Sequence, residues 1–321
     1  MKNNKFILEF EKPISALYKK IEELSELSSG KNKKDLSVDI NIIKDKAEKL
    51  REKVFSNLEP IQIVQIARHP ERPLTLDYVK SIFDDFLELH GDRYYADDTA
   101  LIGGFATFEG QPVMVIGQQK GNSTKMNLYR NFGMPQPEGY RKAIRLMKMA
   151  EKFNIPIISF VDTPGAYPGL GSEERGVAEA IAHNLQDMAG ISVPIICIVI
   201  GEGGSGGALG IAVGNKVAML KYSIYSVITP EGCAAILWRD AGLSAIAADN
   251  LGIISDKLLE FNVVDEVIDE PVGGAHSDPP KVYKKVKAFL KKELKRYSKY
   301  SKEQIIEERY NRFRNLGQFS E

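Results

Sequence analysis

The sequence predicts an α/β protein built on a parallel sheet covered by helices. Residues 156–161 (PIISFV) and 194–200 (PIICIVI) are almost continuously apolar, and the second segment begins 38 residues after the first. Strands that are apolar on both faces are typical of a parallel sheet with helices on both sides. Glycine-rich residues and then a helical pattern follow each segment, which indicates successive strand–helix units of one domain.

Three further elements fit this arrangement. Residues 101–108 and 112–118 flank the short turn 109–111 and predict a β-hairpin. Apolar residues recur at helical spacing over 140–153, so that a helix precedes the first parallel strand. A second helix is expected over 177–189, between the two parallel strands.

Composition divides the chain into an arm, a core and a tail. Residues 1–60 contain one glycine, and we expect them to form an N-terminal helical arm. Two apolar series with helical spacing predict a hairpin of two helices broken at 28–32: Ile14, Leu17, Ile21 and Leu24, then Ile40, Ile43, Ala47, Leu50 and Val54. Phe6, Leu8 and Phe10 alternate, which suggests a short strand. The core is expected at 61–280 and C-terminal helices at 281–321.

The C-terminal segment 281–302 contains ten Lys and Arg residues and one Glu. Its apolar residues recur at helical spacing: Val282, Val286, Phe289, Leu290, Leu294 and Tyr297. Two interpretations stay open, a helix packed on its own chain and a basic surface for a membrane or an acidic partner.

Composition excludes several classes of protein. The 43 Lys and Arg residues balance the 43 Asp and Glu residues, so nucleic-acid binding through overall charge is not expected. Two cysteines exclude a disulfide scaffold, and the four histidines lack metal-ligand spacing. No apolar run approaches the roughly 20 residues of a membrane span, and the N-terminus lacks the apolar stretch of a signal peptide. We expect a cytoplasmic protein without a metal site.

The segment 201–210 (GEGGSGGALG) carries the most chemical information. It predicts a strand end, a glycine loop and the start of a helix. The first amides of a helix have no intrahelical acceptor, and the helix dipole reinforces them as anion donors. Two adjacent amides, those of Gly206 and Gly207, are therefore candidates for gripping one oxyanion.

Other interpretations fit the same residues. Glycines 201, 203 and 206 match the dinucleotide-binding fingerprint, but the acidic residue expected about 20 positions later is missing. Ser205 between Gly203 and Gly207 matches the nucleophile elbow of serine hydrolases, with His276 as the one downstream histidine. The acid of that triad would be Asp249 or Asp265. A loop that serves tight packing alone also remains open.

A second loop follows the first parallel strand at 162–169 (DTPGAYPG). The amides of Gly165 and Ala166 predict either a second anion-binding turn or a wall of the same pocket. Asp162 is a candidate base or a cap of its own loop. Three cations upstream, Lys120, Lys125 and Arg130, are either ligands for phosphate or carboxylate or ordinary surface charges.

Beyond these single segments, the chain as a whole resembles the alpha-subunit family of bacterial acetyl-coenzyme A carboxylase carboxyltransferases. The resemblance covers nearly the whole chain, and its motifs come in the family's order. They are GDR at 91–93, IGQQKG at 116–121, RNFGMPQPEGYRKA at 130–143, DTPGAYPG at 162–169, EERG at 173–176, GEGGSGGALGI at 201–211, YSVITPEGCAAILW at 225–238 and GGAH at 273–276.

The resemblance implies a crotonase/ClpP-like spiral of ββα units. It also implies transfer of a carboxyl group from carboxybiotin, presented on the biotin carboxyl carrier protein, to acetyl-CoA, giving malonyl-CoA for fatty acid synthesis. The implied partners are a carboxyltransferase beta subunit in an α2β2 assembly, the carrier protein and biotin carboxylase. Zinc is expected on the beta subunit only, since this chain lacks the four cysteines of a zinc ribbon.

The resemblance also assigns site residues. Gly206 and Gly207 would form the oxyanion site on the biotin side, and the beta subunit would supply the one on the acyl-CoA side. The carboxybiotin pocket would be lined by Gly165, Ala166, Tyr167, Gly169, Gly204 and Ser205. No protein base is required, because the freed biotin nitrogen can take the methyl proton.

Overall fold

One mixed sheet of eight strands runs through the part of the chain that the computed structural model describes, residues 6–29 and 36–317. The strands are β1 Asp84–Glu88, β2 Leu101–Phe108, β3 Gln111–Gln118, β4 Ile157–Thr163, β5 Ile195–Gly204, β6 Lys216–Leu220, β7 Ile224–Ser226 and β8 Glu266–Ile268. Their order is β1-β2-β3-β4-β5-β6-β8, and β7 pairs with the end of β5. The pairs β1–β2 and β2–β3 are antiparallel, and the others are parallel.

Helices cover both faces of this sheet. They are α1 Lys12–Ser29, α2 Ser37–Phe55, α3 Pro60–Ala67, α4 Thr75–Ile82, α5 Thr124–Tyr129, α6 Pro137–Lys152, α7 Leu170–Glu174, α8 Val177–Gly190, α9 Ser205–Leu209, α10 Pro230–Trp238, α11 Ser244–Leu251, α12 Ser255–Glu260, α13 Pro279–Tyr297 and α14 Lys302–Arg314. The predicted α/β class is therefore confirmed, and so are the helices expected over 140–153 and 177–189, which are α6 and α8.

The predicted hairpin is confirmed as β2 and β3. Its turn consists of Glu109 and Gly110, with φ of 47° and 81°. Two consecutive left-handed residues give the turn whose twist matches that of the flanking strands. The hairpin places the end of β3 beside β4, at the edge where the parallel strands end.

The two predicted parallel strands are confirmed, and every residue of β4 and β5 is buried. Their ladder runs from Ile157 beside Ile195 to Val161 beside Val199, which is the 38-residue offset read from the sequence. Alternate residues of β4 enter two different hydrophobic clusters, one on each face of the sheet. These strands are almost continuously apolar because both faces of the sheet are covered by packed residues.

The predicted glycine loop after the second strand is wrong. Strand β5 continues through Gly204 and passes directly into α9. Backbone partners on both sides hold these extra residues in the sheet, with Thr163 of β4 beside Gly203 and Ser226 of β7 beside Gly204. Three residues of β5 lie opposite Asp162 alone, so that β5 bulges just before the turn.

The helical arm has the predicted hairpin but not the predicted strand. Residues 9–11 form a short 3₁₀ helix, because the N–H of Leu8 donates to the Glu11 carboxylate at 3.1 Å and the N–H of Glu11 donates to Leu8 O at 2.9 Å. These local hydrogen bonds occupy backbone N–H and C=O groups that pairing with a neighbouring β-strand would require. Most of the predicted break at 28–32 lies outside the described residues.

The apolar stripe of α13 packs on its own chain, as one of the two interpretations predicted. All six of its predicted residues are buried, in the cluster on one face of the sheet. None of the described helices has both the length and the apolarity that crossing a membrane requires.

Candidate functional site

The ends of β4 and β5 bring the two glycine-containing segments into contact. A Cβ placed on Gly207 would lie 2.4 Å from the carbonyl carbon of Gly165 and 2.6 Å from the nitrogen of Ala166. A Cβ on Gly204 would lie 2.1 Å from Pro164 O. Only glycine allows this approach of one backbone to the other. The structure therefore joins four of the predicted site residues into one unit.

The turn from β5 into α9 puts three amides in the first helical turn. Ser205, Gly206 and Gly207 follow a strand, so the helix contains no acceptor four residues before them. Ser205 has a φ of 52°, a left-handed conformation that is uncommon outside glycine and that turns the chain within one residue. Ser205 is exposed, Gly206 half-buried and Gly207 buried.

A cavity of about 390 Å³ opens beside this turn. Ser205 and Gly206 line it on one side, and its remaining wall is mainly apolar. That wall includes Leu209, Val217, Tyr225, Val227, Leu251, Ile253, Leu258, Phe261, Val263, Phe313 and Leu316. A Cβ on Gly206 would approach no atom of another residue closer than 3.5 Å, at Ile181. A Cβ could therefore be accommodated at position 206 but not at position 207.

Gly165 lies in a turn closed by its own neighbour. The Thr163 hydroxyl accepts the N–H of Gly165 at 3.1 Å and donates to Gly165 O at 2.7 Å. The N–H of Gly165 is therefore engaged locally. Of the two predictions for 162–169, this geometry favours a pocket wall over an anion-binding turn.

Tyr167 and Gly169 lie on the loop that leads into α7. The N–H of Tyr167 donates to Pro135 O at 3.0 Å, which attaches the loop to the residues before α6. The Tyr167 ring lies against Gly169, where a Cβ would be 2.3 Å from the ring carbon Cε1. Both residues therefore have defined positions on the segment that packs against Gly207.

An ionic cluster lies beneath the turn. Lys120 Nζ is 2.7 Å from Asp162 Oδ1, and the same oxygen accepts the N–H of Glu202 at 3.0 Å. Glu202 also lies 2.6 Å from an Arg68 nitrogen and 3.6 Å from Lys120 Nζ. The carboxylate of Asp162 bonds to β5 and to Lys120. The prediction that it caps its own loop is therefore wrong, and its role as a base stays a prediction.

The charges in this cluster stabilise one another. Burial acts to lower the pKa of Lys120, but the carboxylates of Asp162 and Glu202 outweigh it and raise that pKa. Burial acts to raise the pKa of Glu202, and Lys120 with Arg68 holds it below its usual value. Lys120 and Glu202 are therefore charged at neutral pH, which suits a structural role better than proton transfer.

The other predicted cations lie apart from this cluster. Lys125 is exposed on α5, and Arg130 donates to Thr99 O at 2.8 Å. The prediction that Lys120 is a surface charge is wrong, because its side chain is only 18% exposed. Within residues 6–29 and 36–317 no three His, Cys, Asp or Glu side chains are grouped as a metal site requires.

The structure does not assemble a serine-hydrolase triad. Ser205 lines the cavity beside the glycine turn, whereas His276 lines a different cavity next to α1. The His276 ring stacks on His69 with centroids 3.7 Å apart. The dinucleotide interpretation also fails, since Gly201 and Gly203 lie within strand β5 rather than in a phosphate-binding loop.

One buried residue that contacts the turn was missed by the sequence analysis. Gln118, at the end of β3, donates from Nε2 to Gly207 O at 3.0 Å. Polar residues that end an apolar strand were a signal for it, but the 89 positions between the two residues gave no hint of contact.

Comparison with known proteins gives a consistent result. Residues 7–317 match the family described as acetyl co-enzyme A carboxylase carboxyltransferase-like. The acetyl-coenzyme A carboxylase carboxyl transferase subunit alpha of Geobacter metallireducens is 55% identical over 318 residues, which cover 99% of each chain. The subunit of the same name from Edwardsiella ictaluri is 55% identical over 312 residues, covering 97% of this chain and 98% of that one.

Solved structures show the same fold at lower identity. Transcarboxylase 12S, solved with methylmalonyl-coenzyme A and methylmalonic acid bound, aligns with a TM-score of 0.55 at 24% identity. The beta subunit of geranyl-CoA carboxylase from P. aeruginosa aligns with a TM-score of 0.57 at 17% identity. The alignments cover 69% and 77% of this chain but only 41% and 46% of those chains. The expected crotonase-like fold is thereby confirmed.

Proposed function

The chain belongs to the family of acetyl-coenzyme A carboxylase carboxyl transferase alpha subunits, and we propose that the first turn of α9 stabilises the negative charge that carboxyl transfer creates on biotin. Membership makes the chain one subunit of a carboxyl-transferring enzyme that works with partner subunits and a biotin carrier. It does not support the serine-hydrolase alternative.

The reaction needs main-chain donors more than it needs side chains. Carboxybiotin, a substrate carried on the biotin carboxyl carrier protein, supplies the carboxyl group that acetyl-CoA receives in forming malonyl-CoA. Negative charge appears on the ureido oxygen of biotin as the carboxyl group leaves. Fixed N–H groups aimed at such an oxygen lower the barrier without reorganising, and one lost donor typically costs about 3–4 kcal/mol.

The single observation that carries the proposal is the glycine turn beside the cavity. The amides of Gly206 and Gly207 follow β5 in a first helical turn, and Gly206 lines the cavity. Gly207 follows directly, and its packing on Gly165 and Ala166 fixes the position of the turn. A preorganised pair of donors at the edge of a cavity is the arrangement that the reaction requires.

The remaining predicted residues then form the surroundings of biotin. We assign Gly165, Ala166, Tyr167 and Gly169 to the wall that packs on the turn, with Gly204 and Ser205 leading into it. The contact of Gly207 with the 165–166 peptide supports this assignment. The exposed Ser205 side chain would lie at the rim of the cavity.

A second subunit would complete the site. The chain spans about two fifths of the transcarboxylase 12S chain, which supports a partner that supplies the remaining part. We propose that this partner is the carboxyltransferase beta subunit in an α2β2 assembly, bearing the zinc and the acyl-CoA oxyanion site, and that biotin carboxylase loads the carrier. The free cysteines Cys197 and Cys233 favour a cytoplasmic location.

The test deletes the backbone N–H of Gly206 and leaves every side chain unchanged. Replacing the backbone nitrogen of Gly206 by an ester oxygen deletes the N–H and leaves the rest of the residue unchanged. Carboxyl transfer should fall about 100- to 1,000-fold in the complex reconstituted with the partner subunits. Assembly should persist, as measured by size-exclusion chromatography.

Gly206→Ala is the matched control. It keeps the N–H, and its Cβ meets Ile181 at an ordinary 3.5 Å, so transfer should stay within about threefold of the wild type. An ester variant that assembles and transfers carboxyl groups at the wild-type rate would refute the proposal.

A further inference from the structure

We propose that Gln118 is a positioning residue that holds the carbonyl of Gly207 and so sets the direction of the amides in the first turn of α9. The inference rests on the proposed function of that turn. Gln118 is the last residue of β3 and is fully buried. Its Nε2 donates to Gly207 O at 3.0 Å, and its Oε1 accepts the N–H of Asp162 at 3.1 Å.

The carbonyl of Gly207 needs this donor because α9 is short. The N–H of Ile211, which an α-helix would direct to Gly207 O, donates instead to Ala208 O at 3.2 Å. The helix tightens at its end, and the Gln118 amide serves as the donor for Gly207. An unpaired buried carbonyl would otherwise cost stability.

Holding that carbonyl also orients the neighbouring amides. Gly206 and Gly207 lack side chains, so their φ and ψ angles are softer than those of any other residue. The packing of Gly207 on Gly165 restrains its position. The bond to Gln118 fixes the plane of the peptide between Gly207 and Ala208, which limits the ψ angle of Gly207 and through it the direction of the preceding amide. A donor pair is effective only when its direction is set before the reaction.

The direction of the Gln118 amide is itself determined. The N–H of Asp162 requires an acceptor and Gly207 O requires a donor, so only one of the two orientations of the amide group satisfies both. Lys120 and the N–H of Glu202 both contact the Asp162 carboxylate. The ionic cluster therefore anchors the far end of the Gln118 side chain.

The adjacent residue Gln119 provides a matched control. It is also buried, at 5% exposure, and its side chain also makes two backbone bonds. Those bonds go to the N–H of Leu76 at 2.9 Å and to Lys120 O at 2.7 Å, and neither goes to α9. Loss of the Gln119 amide removes a similar structural contribution and leaves the turn untouched.

The experiment compares Gln118→Met with Gln119→Met in the complex reconstituted with the partner subunits. Both should lower the melting temperature, because each variant loses two hydrogen bonds between a side chain and the backbone. Gln118→Met should lower kcat at least tenfold and change the KM for acetyl-CoA by less than threefold. Gln119→Met should keep kcat within threefold of the wild type.

Gln118→Glu adds a readout that a merely structural role would not move. A carboxylate cannot donate to Gly207 O, whereas the protonated acid can. The turnover of Gln118→Glu relative to the wild type should therefore rise as the pH falls from 8 to 6, and that of Gln118→Met should stay constant. This variant serves equally if Gln118→Met does not fold.

Three results would overturn the inference. They are wild-type kcat in Gln118→Met, equal losses of kcat in the two Met variants, and a pH-independent ratio for Gln118→Glu. The Gly206 ester distinguishes this failure from failure of the proposed function. An inactive ester with a fully active Gln118→Met refutes the role of Gln118 alone, whereas a fully active ester refutes the role of the turn itself.

Discussion

At the scale of single residues, the site depends on charges that are buried in pairs. Asp162 and Glu202 are 4% and 5% exposed, and Lys120 lies within reach of both carboxylates. Each carboxylate also contacts a second partner, the Glu202 N–H for Asp162 and Arg68 for Glu202. Removing one member of such a cluster leaves the others desolvated and unpaired. The resulting loss of folding free energy exceeds the net contribution of the intact pair.

Lys120→Met is therefore expected to destabilise the chain by about 3–5 kcal/mol at neutral pH. The pKa of Glu202 is lowered in the fold, so its favourable contribution exists above its usual value of 4.5 and is lost as the pH falls through the lowered one. The deficit of Lys120→Met in chemical denaturation should thus be largest near pH 7 and shrink below about pH 4.5.

Lys291→Met is the control for this prediction. Its ammonium group lies 2.9 Å from Glu109, but the two side chains are 64% and 36% exposed, so its loss should cost less than about 1 kcal/mol. Equal losses for the two variants would show that the Lys120 cluster behaves as a surface pair.

At the scale of elements, the C-terminal helix α14 contributes a buried cation to the core. The Arg309 guanidinium donates to Met188 O at 2.9 Å, to Ile191 O at 2.5 Å and to Val193 O at 2.9 Å. It also donates to the Asn215 side chain. Burial lowers the pKa of Arg309 to about 10, so it stays charged at neutral pH. Through these hydrogen bonds, the Arg309 side chain holds the segment between α8 and β5 against α14.

Arg309→Lys should lower stability by about 2–4 kcal/mol, although it keeps the charge. A compact ammonium cannot reach four acceptors spread across a planar fork, so some buried carbonyls lose their donor. Thermal unfolding should show a melting temperature about 3–6 °C lower. Arg314→Lys, on an exposed position of the same helix, should change it by less than about 1 °C; a similar effect at both positions would contradict the argument.

At the scale of the whole molecule, apolar clusters connect the arm and the tail to the core. Leu8, Ile14 and Phe55 share one cluster with residues of α3, β7 and α11, and the stripe of α13 shares another with the sheet. The division at 60 and 280 expected from composition remains a prediction. Shared clusters predict that all three parts unfold together.

Phe55→Ala tests this cooperativity. Phe55 is 7% exposed and contacts Phe10 of the arm and Tyr222 of the core edge-on, so its loss should cost about 3–5 kcal/mol. Calorimetry should show one transition, shifted as a whole. Phe153→Ala removes a ring that is 60% exposed, so it should shift the transition temperature by less than a third of the shift in Phe55→Ala. A separate early transition in Phe55→Ala would show that the arm folds independently.

Local patterns in the sequence sufficed for the hairpin, the two central parallel strands and the longer helices, and they indicated the place of the proposed site. The apolar segments became β4 and β5, and Gly206 and Gly207 lie where a first helical turn was expected. The end of β5 was misplaced by four residues, because pairing with β4 and β7 extends a strand that glycines alone would interrupt. The sequence left two interpretations of Lys120 open, and its burial could not be read from the sequence, since it depends on two carboxylates far along the chain.

By itself the amino-acid order determined the periodicities of strand and helix, the hairpin turn and the supply of glycines near one helix start, since each depends on neighbours within a few positions. Only the tertiary structure decided that the 165–166 peptide packs on Gly207 and that Gln118 reaches the same residue. These contacts join segments about 40 and 90 positions apart. Their geometry follows from strand register and from the bulge opposite Asp162, and neither has a local signal in the chain.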